Sequence, residues 1–355
     1  MKNIIRVGAL TAVSALVLAA CASAPEEEPA ASSSAPAGSE APVEAVDYRP
    51  CMVSDAGGFD DKSFNQAGYE GLVSISEELG LEYNTVESQD GNEYGPNIDA
   101  LVADGCDLIV TVGFLLGDAT AAAAAANPDT NFAMIDNAFD EPVDNVKPIL
   151  FSTNEAAFLA GYAAAATTAT GTVATFGGIN IPPVTVFMDG FYRGVNYFNE
   201  TTGGDVTVLG WDGTDGSFTG DFEDATKGQN LTQGFIDQGA DIILPVAGPV
   251  GLGAAAAAQA AGDTWIIGVD SDWTLTAPEY SDIILTSIMK NMGPAVHDVV
   301  NEAAVGAGFS AEAYFGTLEN EGVGLGTTAS VVSEDVLAEL ETITAGIIDG
   351  SIATS

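Results

Sequence analysis

Between Val53 and Leu72 the chain reads Val-Ser-Asp-Ala-Gly-Gly-Phe-Asp-Asp-Lys-Ser-Phe-Asn-Gln-Ala-Gly-Tyr-Glu-Gly-Leu, which sets ligand-type polar groups close to aromatic side chains. The apolar residues Met52 and Val53 lead into Asp55, a glycine pair follows, and Phe64 and Asn65 open a helical run. The segment therefore falls where a strand gives way to a helix. Ligands of open α/β sheets sit at the carboxyl ends of strands, so this placement directs Asp55, Phe64 and Asn65 into one crevice. The same spacing also describes a helix N-cap behind a Gly-Gly turn, because Asp and Ser cap helices and Gly permits positive φ.

Covalent chemistry finds little support. A Ser-His-Asp or metal site needs histidine in most versions, and the sole histidine, His297, lies inside a helix-like run with no companion. The adjacent acids Asp60 and Asp61 could suggest a carboxylate pair for hydrolysing a glycosidic bond, but two acids entering a helix N-terminus are better explained by its dipole. The acids also lack the loop spacing of an EF-hand calcium site. No Gly-x-x-x-x-Gly-Lys phosphate cradle occurs, which excludes an ATPase of that type. The expectation is a binding protein with no catalytic residue, no metal and no cofactor.

Eight Lys plus Arg stand against 51 Asp plus Glu, a net charge of −43. Such a field repels nucleic acid and excludes a polyanion-binding role; a solvated acidic surface suited to high salt accounts for it. The chain begins with a short basic stretch (Lys2, Arg6), an apolar core from Val7 to Leu18, and then Leu18-Ala19-Ala20-Cys21. This describes an export signal over 1–20 rather than a membrane span, which needs about 20 apolar residues. Leu-Ala-Ala-Cys resembles a bacterial lipobox, which implies lipidation at Cys21; the other reading is a plain signal peptide with an incidental cysteine. Residues 21–46 are rich in Ala, Ser, Pro and Glu, cannot bury enough surface to offset ordering entropy, and read as a tether.

The elements that must position Asp55, Phe64 and Asn65 follow a βαβ rhythm. Strands are expected near 49–55, 81–87, 107–112, 131–136 and 146–151, with helices near 63–79, 95–104 and 117–126. A second series has a helix at 155–168, strands near 172–176, 205–210, 241–245 and 264–269, and helices near 184–200, 225–239 and 251–261. Ser152-Thr-Asn-Glu resembles a capping box for the first of these helices. The rhythm predicts parallel sheets covered on both faces by helices. Lobe 1 is expected over 47–151 and lobe 2 over 152–281, with 282–355 completing both; within it, a strand at 283–289 leads back towards lobe 1 and a helix at 335–348 packs on it. Cys51 and Cys106 each start a strand, and the first and third strands are neighbours in a doubly wound sheet. A disulfide between them is geometrically reasonable in an exported protein, and two buried free thiols are the other reading.

The Val53–Leu72 stretch resembles the signature of the basic membrane protein family of ABC-transporter substrate-binding lipoproteins, whose best understood members are purine nucleoside receptors. The similarity continues in order through Gly105-Cys-Asp-Leu-Ile-Val-Thr-Val-Gly-Phe114, Asn127-Pro128, Phe132-Ala-Met-Ile-Asp136, Gly177-Gly-Ile-Asn-Ile-Pro-Pro183, Gly190-Phe-Tyr-Arg-Gly194 and Ile267-Gly-Val-Asp-Ser-Asp272. The resemblance implies an α/β fold of the type I periplasmic-binding-protein kind, two doubly wound parallel-sheet lobes with a hinge and an interlobe cleft. It implies that Asp55, Asn65 and Asp136 bind a base edge, that Phe64 stacks on the ring, that Gly248 allows close backbone approach, and that Asp270 binds ribose with Lys290 as its cationic companion. Beyond Lys2 and Arg6 the chain has six basic residues; Lys62, Arg193, Lys227 and Lys290 fall in or beside family-like stretches, which suggests that these cations have roles.

Two departures bear on specificity. Relatives carry a second aromatic before the glycines where this chain has Leu244, and Pro249 stands where Gly is common. Phe191 and Trp273 are the candidates to supply the missing face, and either would serve equally as core. The implied function is a monomeric receptor, lipid-anchored on the extracytoplasmic face of a bacterial membrane, that captures a nucleoside by hinge closure and passes it to an ABC permease and its ATPase. A receptor for a pentose, sugar or other small polar ligand is the runner-up, and a nucleoside hydrolase the alternative from another class.

Overall fold

The computed structural model describes residues 46–355. The expected export signal, the expected lipidation site Cys21 and the expected tether up to residue 45 lie outside the described residues. The chain runs β1 (Pro50–Ser54), α1 (Phe64–Leu79), β2 (Asn84–Glu87), α2 (Tyr94–Ala103), β3 (Leu108–Val112), α3 (Gly117–Ala126), β4 (Asn131–Ile135) and β5 (Val146–Phe151). It continues through α4 (Thr153–Thr167), β6 (Thr172–Gly177), α5 (Pro182–Thr202), β7 (Thr207–Leu209), α6 (Ala225–Ile236), β8 (Ile242–Val246), α7 (Val250–Ala261), β9 (Trp265–Asp270), the short α8 (Trp273–Thr276) and β10 (Ile284–Lys290). Last come α9 (Met292–Val305), β11 (Tyr314–Gly316), β12 (Val323–Leu325) and α10 (Glu334–Ile348).

Two six-stranded sheets result, in the orders β11-β5-β4-β3-β1-β2 and β12-β10-β9-β8-β6-β7. The orders correspond strand for strand, so β1 matches β6, β3 matches β8, β4 matches β9 and β5 matches β10. Every pairing is parallel except β12 against β10. Helices cover both faces, which is why β1, β3 and β8 are buried along their whole length and read as largely apolar runs. In each sheet the winding reverses between the first and third strands of its lobe, and such a switch point leaves a crevice at the strands' carboxyl ends. The architecture is a two-lobe α/β fold of the periplasmic-binding type, as the family resemblance implies.

Three strands of chain cross between the lobes side by side. The Ser152 amide donates to Gly316 O at 2.8 Å, that of Asn291 to Gly322 O at 2.9 Å, and that of Val323 to Thr317 O at 3.3 Å. This arrangement overrides the expected capping box. Ser152 makes no side-chain cap to α4, and the Glu155 carboxylate instead accepts the Leu318 amide at 2.8 Å, tying the helix start to the third crossing.

Helix α10 also departs from expectation. Its apolar residues Leu340, Ile343 and Ile347 cluster with Phe158, Leu159 and Tyr162 of α4, on the second lobe rather than the first. The helix that docks on the first lobe is α9, whose Met292, Ala295, Val296 and Val299 share a core with Leu72 and Ile75 of α1. Close approach of α4 and α5 depends on glycine: a Cβ at Gly194 would come within 2.0 Å of Phe158 O, and one at Gly161 within 2.1 Å of Phe191 O.

Cys51 in β1 and Cys106, two residues before β3, form a disulfide with Cα atoms 5.9 Å apart. Both side chains are buried. No helix of the described residues is long and apolar enough to cross a membrane.

Candidate functional site

The wall contributed by the first sheet is built where β1, β3 and β4 end. The Asp55 amide donates to Val112 O at 3.1 Å, joining the ends of β1 and β3, and its carboxylate accepts from Asn65 Nδ2 at 3.2 Å. Asn65 Nδ2 also donates to Ala56 O at 3.2 Å. Gly113 has φ 118°, and a Cβ there would lie 1.9 Å from Asp55 Oδ2, so only glycine leaves room for this carboxylate. Asp61 accepts the amides of Ser63, Asn65 and Gln66 at 2.9, 2.8 and 3.0 Å, satisfying otherwise unpaired donors at the start of α1. Asp60 faces solvent and pairs with Lys62 at 2.5 Å.

Asp136 follows β4 and Asp270 ends β9, at corresponding places in the two sheets, and both have φ 68°. A left-handed backbone is costly for any residue with a Cβ and least so for Asp and Asn. Such conformations persist where the surroundings over-determine them, commonly at ligand sites. Across the cleft, Asp270 Oδ2 accepts from Ser63 Oγ at 2.8 Å. Lys290, at the end of β10 and 2% exposed, forms an ion pair with Asp136. Its ammonium lies 4.8, 5.4 and 5.9 Å from the ring centroids of Phe64, Phe151 and Phe187, within cation–π range of all three.

Four carboxylates thus share a cleft with one cation, and burial dominates their titration. Desolvation pushes the Asp55 carboxyl up to about 8, with the Asn65 hydrogen bond opposing it and Asp61 and Asp136 adding to it. Asp270 is raised to about 6 by burial, against the pull of Lys290 and Ser63. Asp136 is raised by burial and held back by Lys290, and Asp61 is raised by burial against its three amide donors.

Asp55, Phe64, Asn65, Asp136, Gly248, Asp270 and Lys290 all line this single cleft, with Gly248 at φ 51° on the second-lobe side. Phe191 and Trp273 do not. Phe191 is fully buried where α5 meets α4, and Trp273 is packed over Gly251 and Gly268 with its indole N–H on Val269 O at 3.0 Å. Leu244 is likewise no stacking position: it is buried in mid-strand, and Val246, Ala247 and Pro249 reach the cleft instead. The direct partner of Lys290 is Asp136 rather than Asp270, because the ammonium crosses to the opposite lobe.

Sequence reasoning missed the aromatic faces supplied by Phe114, Phe187 and Phe222. Phe187 sits one turn after Val184 on the first turns of α5, and Val184 lines the cleft with it, a spacing that the sequence does display. Phe222 lies in the non-repetitive segment between β7 and α6, where no periodicity exists to read. Each described basic residue has an acidic or carbonyl partner. Arg49 pairs with Asp104 at 2.7 Å, Arg193 with Asp189 at 2.8 Å and Lys227 with Asp221, while Lys147 donates to Glu312 O at 2.7 Å.

Residues 49–354 match the family model described as ABC transporter substrate-binding protein, PnrA-like. The chain is 31% identical to the ABC transporter nucleoside-binding protein BmpA of Lactococcus lactis subsp. cremoris, over 99% of this chain and 98% of that protein. It is 34% identical to basic membrane protein A of Borreliella burgdorferi, over 68% of each. Among solved structures, an ABC transporter system solute-binding protein from Aeropyrum pernix K1 superposes with a TM-score of 0.77 at 27% identity, over 86% of this chain and 92% of that one. The Lactococcus lactis and Aeropyrum pernix relatives are described as nucleoside-binding and solute-binding proteins of ABC transporters. The chain belongs to the PnrA-like family of ABC transporter substrate-binding proteins.

Proposed function

We propose that the protein is the receptor of an ABC importer for purine nucleosides, held at the extracytoplasmic face of the membrane by a lipid on Cys21. The observation that carries this reading is the pairing of aromatic faces with hydrogen-bonding groups from both lobes in one buried cleft: Phe64 and Phe187 flank the Lys290 ammonium, with Asp55, Asn65 and Asp136 on one side and Asp270 on the other. In this reading Asp55, Asn65 and Asp136 bind the base edge, Phe64 stacks on the base, Asp270 and the Gly248 backbone hold the ribose, and Lys290, paired with Asp136 and near Asp270, stands between the two. A ligand touching both walls favours the closed arrangement of the lobes, and hinge closure follows from that differential affinity. A monomer then delivers the ligand unchanged to the permease and its ATPase.

Asp136→Ala should weaken inosine binding by about 10- to 100-fold, since a hydrogen bond to a charged group contributes roughly 1.5–3 kcal/mol. Titration calorimetry measures this, and thermal melting of the same variant separates any loss of fold. Unchanged affinity removes Asp136 from the site. Binding of ribose but not inosine by the native protein favours the sugar receptor, and recovery of free hypoxanthine from inosine favours a hydrolase.

Cys21→Ala should move the protein from the membrane to the soluble fraction, because residues 22–46 hold no apolar segment able to replace a lipid. Fractionation of expressing cells reads this directly. Retention of the variant on membranes would mean that an uncleaved signal acts as the anchor.

A further inference from the structure

Of the four cleft carboxylates, Asp55 is the one least provided with donors. Asp61 accepts three amides, Asp136 faces Lys290, and Asp270 accepts from Ser63 with Lys290 nearby. Asp55 has one side-chain donor, Asn65 Nδ2 at 3.2 Å, and no cation pairs with it among the described residues. It is 9% exposed. The amide oxygen of Asn65 is itself buried without a donor among the described residues, so the pair offers the cleft an acceptor beside a carboxyl of adjustable charge. Around it stand Asp61 ahead of α1, Asp136 after β4, Tyr94 from α2, and Lys290 and Asp270 from the second lobe.

The two protonation states of a carboxyl recognise different hydrogen-bonding edges. A neutral carboxyl presents one donor and one acceptor, matching an amidine edge, a ring nitrogen acceptor beside an amine, as in adenine. A carboxylate presents two acceptors, matching an edge with two adjacent donors, a ring N–H beside an amine, as in guanine.

We propose that Asp55 selects among purine nucleosides through its proton: the neutral acid accepts the amidine edge of adenosine and the carboxylate accepts the two-donor edge of guanosine. The inference rests on the nucleoside reading above and adds the residue that discriminates within it. Burial places the Asp55 transition near neutrality, at about 8, so both states are within reach. The sign follows from the raised value: the neutral acid prevails below it, so adenosine is favoured at lower pH and guanosine gains as pH rises.

The two edges differ by one proton at Asp55, so the ratio of adenosine to guanosine affinity should fall about tenfold per unit between about pH 6 and pH 8. Asp270, raised to about 6 by burial, also titrates at the edge of this window, and His297 is raised by its hydrogen bond to Glu78, but both ligands share the ribose and the fold, so their effects cancel in the ratio. Asp55→Asn, whose amide permanently presents one donor and one acceptor, should give a ratio that no longer varies with pH and stays at the adenosine-favouring value. Calorimetry of the native protein in two buffers of different ionisation enthalpy supplies a readout independent of that variant: near pH 7, guanosine should release about one proton on binding and adenosine almost none. A flat ratio in the native protein, equal proton release for both ligands, or a slope that survives in Asp55→Asn overturns the proposal. If both nucleosides bind with a flat ratio, the receptor reading stands and the Asp55 switch fails. If neither binds at any pH, the receptor reading itself fails.

Discussion

Lys290→Met should lower folding stability by about 3–5 kcal/mol at neutral pH, the typical cost of breaking a buried ion pair by removing one partner. The side chain is 2% exposed, and its loss leaves Asp136 in a cleft lined by three other buried acids with no cation among its lining residues. The deficit should depend on pH in a defined direction. Burial already raises the Asp136 carboxyl and Lys290 holds it down, so in the variant it rises further. A group whose folded pKa lies above its unfolded value contributes stability that is complete at low pH and is lost as pH rises through the folded value. The gap between variant and native protein should therefore be widest at neutral and alkaline pH and shrink as the pH approaches the ordinary carboxylate range. Denaturant melts at about pH 5 and pH 8 measure it, and Lys290→Met with Asp136→Asn should recover most of the loss. A deficit that is the same at both pH values would mean that Lys290 acts through packing against its three rings rather than through its charge.

The same variant tests which part of a ligand Lys290 serves. The family resemblance assigns it to ribose beside Asp270, whereas its ion pair is with Asp136, the residue proposed for the base edge. On the observed pairing, inosine and hypoxanthine should both lose affinity. A loss confined to inosine would return Lys290 to the sugar.

Much of the frame was legible because its signals are local. Buried parallel strands such as 108–112 and 242–246 are short apolar runs, and several of the helices between them end at Gly or Asn-Pro, so alternation yields ten of the twelve strands, while the three-residue β11 and β12 are too short to show a pattern. Asp55 could be found from its place where a strand gives way to a helix, whereas Asp136 and Asp270, though each closes an apolar strand, came from the family resemblance. What escaped depends on partners distant in the chain. The apolar stripe of α10 announces that it packs, but Leu340, Ile343 and Ile347 would suit either lobe, and only the path through the third crossing puts them on α4. The capping box at Ser152 failed for the same reason, since Glu155 is claimed by Leu318 from 163 residues away. Lys290 finds Asp136 across 154 residues and between lobes, a pairing that no spacing encodes. Phe191 and Trp273 were attractive as rings near family motifs, yet their helix faces turn into the core.

Breaking the Cys51–Cys106 disulfide should cost stability of a similar size by a different route. The bond closes 55 residues, enclosing α1, β2 and α2. Chain-entropy arguments give on the order of 4 kcal/mol for a loop of that length, with removal of native disulfides commonly costing 2–5 kcal/mol. Little of this would be recovered through new interactions, because both cysteines are buried and a Cys51→Ser, Cys106→Ser variant also places two hydroxyls among the apolar neighbours Ile98, Leu101 and Ile109. Alanine at both positions avoids that second cost, so the alanine pair should be less destabilised than the serine pair, with the difference measuring the polar burial. The effect should extend to the cleft. β1 carries Asp55 at its end, and β1 and β3 are held together at one end by the disulfide and at the other by the Asp55 amide on Val112 O. Loosening the first should increase motion of the second, so hydrogen exchange at the Asp55 amide should quicken in the alanine pair while ligand affinity falls only a few-fold. Native-like stability of the alanine pair, or of the native protein after reduction, would show that the sheet rather than the cross-link holds this edge of the lobe in place.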